Sequence, residues 1–90
     1  MFFNKKKKLL KVLLEKFSSL ITDEDKNNCR ELLANREYLL CYTTLVTQIY
    51  EYDKEITKEE YEFFKNTAEK LGFETSEYIL LKELVREKNW

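Results

Sequence analysis

Between residues 50 and 62 the chain concentrates acid and aromatic rings. Glu51, Asp53, Glu55, Glu59, Glu60 and Glu62 stand against Lys54 and Lys58, a local balance of −4, with Tyr50, Tyr52 and Tyr61 interleaved. Two kinds of chemistry suit this composition. Alternating carboxylates can hold a hard cation, and Glu51, Asp53, Glu55 and Glu62 fall at positions 1, 3, 5 and 12 of a calcium-binding loop. Such a loop needs glycine at its sixth position for a sharp turn, where this chain has Ile56. A second candidate, starting at Asp23 with Asp25 and Asn27, fails in the same way, with Asn28 in place of glycine and Ala34 in place of the last glutamate. No metal is expected. The other chemistry is recognition, because carboxylates flanked by tyrosines at a helix-helix corner offer complementary charge and a desolvating platform to a basic protein. On this reading the partner-binding residues are Tyr50, Glu51, Tyr52, Asp53, Glu55, Glu59 and Glu62. The plainer reading is a solvated corner whose acids favour the positive N-terminus of the next helix.

Covalent and acid-base catalysis find few candidates elsewhere. The absence of histidine removes the commonest proton shuttle and zinc ligand. No glycine-rich phosphate cradle, nucleophile elbow or nucleophile-base pair occurs in the sequence. Cys29 and Cys41 sit inside apolar helical patterns without Cys-x-x-Cys spacing, which suggests reduced, buried thiols. A non-enzymatic protein without cofactor or small-molecule substrate is expected.

The elements that position the corner are helices. Ninety residues, 43% apolar and 37% charged, suffice for one modest core with a solvated surface. With no proline and a single glycine the chain lacks the turn chemistry of a β-sandwich or barrel. The expectation is all-α: a single domain over residues 1–90, built as a compact bundle of four to five helices. Charge divides this domain into a basic amphipathic first helix within residues 1–22 and an acidic helical body over residues 23–90. Residues 1–16 hold six lysines against Glu15, whereas residues 17–90 hold ten cations against sixteen carboxylates. A basic partner is thereby favoured over non-specific nucleic acid.

Leu10, Leu13, Leu14, Phe17 and Leu20 or Ile21 give the first helix its apolar face, while four lysines in its first turn oppose the helix dipole. That end must fray or be held from outside. The apolar run from Leu9 to Leu14 is interrupted by Lys11 and is too short for a secretory signal or a bilayer span, so a soluble, cytoplasmic protein is expected. Thr22 caps a short polar helix over 23–34, with Cys29, Leu32 and Leu33 inward, and Asn35 is placed to end it in the left-handed conformation. A central helix over 36–51 follows, presenting Tyr38, Leu39, Tyr42, Leu45, Val46 and Ile49. Thr57 with Glu60 forms a capping box, with Ile56 and Tyr61 placed as a hydrophobic staple, and the helix it starts runs to Leu71 with Gly72 as its left-handed stop. A fifth helix capped at Thr75 or Ser76 then carries Tyr78, Leu81, Leu84 and Val85 inward.

The stretch Asn35-Arg36-Glu37-Tyr38-Leu39-Leu40, then Leu45-Val46, Ile49-Tyr50-Glu51-Tyr52-Asp53, Ile56-Thr57-Lys58-Glu59-Glu60-Tyr61, Leu71-Gly72 and Leu81-Lys82-Glu83-Leu84-Val85 resembles MafI-type immunity proteins. These belong to bacterial polymorphic-toxin and contact-dependent inhibition systems. The similarity covers about residues 30–88, and its most telling part is the Tyr-Glu-x-Asp corner followed by Ile-Thr-x-Glu-x-Tyr. It implies a small cytoplasmic protein that binds and neutralises a cognate toxin C-terminal domain, often a nuclease with a basic cleft. From charge alone, an alternative is an adaptor using Lys5, Lys6, Lys7, Lys8 and Lys11 on an anionic membrane surface or nucleic acid. A third is a helical subunit, whose sign would be self-association.

Overall fold

A computed structural model describes residues 4–86, so residues 1–3 and 87–90, including Trp90, lie outside the described part. The fold is all-α. Its helices are α1 (Lys5–Lys16), α2 (Asp23–Ala34), α3 (Tyr38–Glu51) and α4 (Lys58–Leu71), with 3-10 turns at Ser18–Leu20, Thr75–Glu77 and Ile79–Leu84. Helix α1 lies across α2, α3 and α4, while α3 packs along α2 on one side and the last 3-10 segment on the other. Leu10, Leu13, Leu14 and Phe17 enter one core with Cys29, Leu33, Tyr42, Leu45, Ile49, Phe64 and Leu81. Among the described residues no helix is long and apolar enough to cross a membrane.

The lysine-rich start of α1 is held in the second of the two expected ways. Asn4 accepts the amide of Lys7 at 3.0 Å, and its side-chain amide donates to the hydroxyl of Tyr38 on α3. Together these supply a cap and a tertiary tether where the dipole opposes the local charge.

Helices α2, α3 and α4 end in the same device, a residue with positive φ flanked by paired 6→1 and 5→2 hydrogen bonds. Gly72 takes this position after α4, with φ 77°. After α2 the left-handed residue is Arg36, φ 61°, instead of Asn35, which stays at φ −90°. The amides of Glu37 and Arg36 bond back to the carbonyls of Leu32 and Leu33, so the chain turns one residue later than its composition suggested. Asp53, φ 51°, ends α3. A Cβ in this conformation is strained, and Arg36→Gly should raise stability by about 0.5 kcal/mol, relief of that strain being partly offset by unfolded-state entropy. A rise in the urea midpoint at unchanged slope would show it; a loss would place the helix end elsewhere.

The expected fifth element is helical, but its geometry is 3-10 where an α-helix was expected. Residues 75–84 form two 3-10 segments because their apolar spacing is three, not 3.6: Tyr78, Leu81 and Leu84 are all buried on one stripe. Past Leu84 the chain becomes extended. The amide of Ile56 donates to Leu84 and that of Arg86 to Ile56, forming an isolated bridge with Val85 that pulls the last turn away from α-helical geometry. Leu39 is a correction, being 46% exposed although assigned to the inward face of α3. Cys29 and Cys41 are free and buried side by side. The hydrogen bond with Cys29, together with burial, pushes the Cys41 thiol up and keeps it protonated.

Candidate functional site

The acidic segment begins on the last turn of α3, passes through the left-handed Asp53 and enters α4 at its capping box. Thr57 Oγ1 accepts the amide of Glu60 at 3.0 Å, and Glu60 Oε1 accepts the amide of Thr57 at 2.8 Å. Glu60 is thus used in the cap, as expected. Thr57→Ala should cost about 1 kcal/mol in chemical denaturation. Glu59→Ala, at an exposed position off the cap, should stay within about 0.5 kcal/mol. Equal losses would misplace the helix start.

The structure distributes the seven sequence-derived residues among three places. At the first, the Tyr50 hydroxyl donates to Glu83 Oε1 at 3.0 Å. That bond pushes the Tyr50 ionisation up, as do the field of Glu83, desolvation and the fields of Asp53 and Glu51. Glu83 thus meets one protonated phenol directly at an exposed corner, and Glu51 and Asp53 act on it only through their fields. Glu83 is thirty-three residues from Tyr50 and was not among the sequence candidates. Its presence on a Leu-Lys-Glu-Leu-Val stretch gave only helix-like spacing. Glu55, close by in sequence, is partly neutralised by Arg86, whose Nε lies 3.5 Å from it in an exposed pair.

At the second place, Tyr52 turns towards the start of α2. Its hydroxyl donates to Asp25 Oδ2 at 2.6 Å, while Gln48 Nε2 donates to Asp25 Oδ1 at 2.9 Å. Asp25 is only 7% exposed and also belongs to a capping box with Thr22. Burial pushes its carboxyl up, but the hydrogen bonds from Tyr52, Gln48 and Thr22 outweigh it and hold the group below its ordinary value. Tyr52, taken from the sequence as an open aromatic anchor, thus has its polar end engaged in a strut between α2 and α3. At the third place, Glu59 and Glu62 share a shallow hollow on α4 with Lys58, Phe63 and Asn66.

Among the described residues no group of three cysteine or carboxylate side chains is arranged to hold a metal ion. Comparisons with family models, curated proteins and solved structures return no match for this chain. Functional assignment therefore rests on the corner itself. Carboxylates beside an aromatic ring can attract and orient a cationic surface.

Proposed function

We propose that this chain is a non-enzymatic immunity protein that binds a basic toxin domain, and that Tyr50, Glu51, Asp53 and Glu83 form the contact steering it. The supporting observation is the hydrogen bond from Tyr50 to Glu83 at a turn that also carries Glu51 and Asp53, whose fields reach the same phenol. In a chain whose body is acidic, this corner adds a local field able to accelerate encounter with a cationic cleft. If the toxin cuts nucleic acid, these carboxylates stand where substrate phosphates would lie. Tyr50 supplies a flat apolar ring whose hydroxyl is already paired, so docking leaves no orphan donor.

The test is a variant carrying Glu51→Gln, Asp53→Asn and Glu83→Gln. Asparagine tolerates the left-handed backbone at position 53, and glutamine at 83 keeps an acceptor for Tyr50, so the fold should survive. Stopped-flow association with a cognate basic toxin domain should slow by about tenfold at low salt and lose most of its salt dependence. Cells expressing that toxin should lose protection. Unchanged association and full protection by the folded variant would overturn the assignment.

A second reading is favoured by one cluster. Lys7, Lys11 and Arg30 line a hollow of about 400 Å³ between α1 and α2. An adaptor working through this face would bind anionic vesicles or RNA and lose that binding when the lysines are replaced.

A further inference from the structure

A hollow of about 600 Å³ lies between α4 and the C-terminal 3-10 segments. Lys58, Tyr61, Glu62, Lys65 and Glu69 enter it from α4, where three- and four-residue spacing puts them on one face. Thr75, Tyr78, Ile79 and Lys82 form the opposite wall. The size falls within the range of small-molecule sites, roughly 300–1,000 Å³.

Tyr78 is the unusual member of this lining. It is 4% exposed, yet its hydroxyl makes no hydrogen bond among the described residues, where a tyrosine sunk so far into a core ordinarily pairs that group. No side-chain nitrogen or oxygen among the described residues is both shut off from solvent and unpaired, so this hydroxyl opens outward, and the hollow is where Tyr78 meets solvent. The Tyr61 ring stands edge-on to it at 5.9 Å between centroids. Burial and the fields of Tyr78 and Glu62 push the Tyr61 ionisation up, so this second phenol also stays protonated. Lys58, Lys65 and Lys82 make no ion pair among the described residues, and neither do Glu62 and Glu69. Three cations thus face two carboxylates.

Donors outnumber acceptors, because three ammonium groups and the hydroxyls of Tyr61, Tyr78 and Thr75 stand against Glu62 and Glu69. A fitting ligand needs several anionic oxygens for the donors, a few N–H or O–H groups for the two carboxylates, and a flat or apolar part for Ile79, which is 42% exposed. A simple carboxylic acid or inorganic phosphate meets only the first need. A phosphate monoester brings three acceptor oxygens and a charge of about −1.5 to −2 at neutral pH, and a ribose with its base supplies the rest. We infer that this hollow is a binding site for a nucleoside monophosphate, its phosphate taken by the lysines and the Tyr78 hydroxyl and its sugar or base donors by Glu62 and Glu69. This does not rest on the toxin reading, since the hollow shares no residue with Tyr50, Glu51, Asp53 and Glu83.

Titration of the isotope-labelled full chain with the four nucleoside monophosphates, their nucleosides and inorganic phosphate, followed by amide NMR shifts, tests it. At least one nucleotide should saturate shifts in α4 and residues 75–85, and bind about tenfold or more tightly than its nucleoside or phosphate alone. Tyr78→Phe keeps the ring in the core and should weaken that nucleotide by about tenfold, the loss of one hydrogen bond to a charged group, with the helical circular dichroism intact. Lys65→Gln with Lys82→Gln should weaken it at least as much, whereas Lys70→Gln, on α4 but outside the hollow, should leave it unchanged. No saturation by any nucleotide up to about 10 mM overturns the proposal. So does an equal effect of Lys70→Gln, which would mean attraction by charge alone, or indifference to Tyr78→Phe. Inorganic phosphate binding as tightly as the nucleotides overturns the assignment of the nucleoside.

Discussion

Tyr42→Ala should lower stability by about 4 kcal/mol, which is most of what a domain of this size has available. Tyr42 is fully buried, with its ring edge-on to Phe64 at 6.0 Å and to Phe73 at 5.2 Å between centroids. It thus joins α3 to α4 and to Phe73, just beyond Gly72. Truncation removes this ring from the core and leaves a cavity that a close-packed interior cannot collapse around. Tyr42→Phe separates packing from polarity. It loses the 2.9 Å bond from the hydroxyl to the Phe64 carbonyl, but that carbonyl keeps its place in the helical ladder, so the cost should be about 1 kcal/mol. Denaturant titration of the two variants measures the difference. Similar losses would mean that the hydrogen bond, and not the ring, is what the core requires.

Asp25→Ala should cost about 2 kcal/mol at neutral pH, because it removes both the acceptor for the Thr22 amide and the shared partner of Gln48 and Tyr52. The effect should depend on pH with a defined sign. A carboxyl held below its ordinary value binds its proton more readily in the unfolded chain, so its contribution is present above the unfolded value of about 3.9 and fades as pH falls through the lower folded value. Asp25→Asn keeps the shape and has no proton to gain. Its deficit relative to the parent should therefore shrink as the solution is acidified below about pH 4. A constant deficit down to pH 2 would show that Asp25 contributes only as a neutral acceptor.

The corner proposed as the contact was partly legible. Tyr50, Glu51 and Asp53 were found because acid and rings are dense there, and density is a property of the sequence alone. Glu83 was not, since its partnership with Tyr50 depends on how the 3-10 segment lies along α3. Tyr52 was read as an open ring because nothing local shows that a carboxylate twenty-seven residues earlier accepts its hydroxyl. Glu59 and Glu62 share the charge of the corner but face a different hollow, because α4 leaves the turn in a direction that its first residues do not encode.

What the sequence determined by itself is the set of interactions that close within about five residues. The bounds of α2, the caps at Thr22 and Thr57, the stop at Gly72 and the inward residues of α1 all depend on hydrogen bonds or spacings of that range. Tertiary structure decided the rest. Arg36 is left-handed because α3 begins where it does, and Tyr78, Leu81 and Leu84 adopt three-residue turns while the chain beyond them is drawn to Ile56. Asn4 finds Tyr38, Tyr52 finds Asp25 and Tyr50 finds Glu83 across twenty-seven residues or more. The physical reason is that each of these contacts exists only after helices have packed. Its energy depends on a relative placement that is fixed by the whole core, not by the residues making the bond.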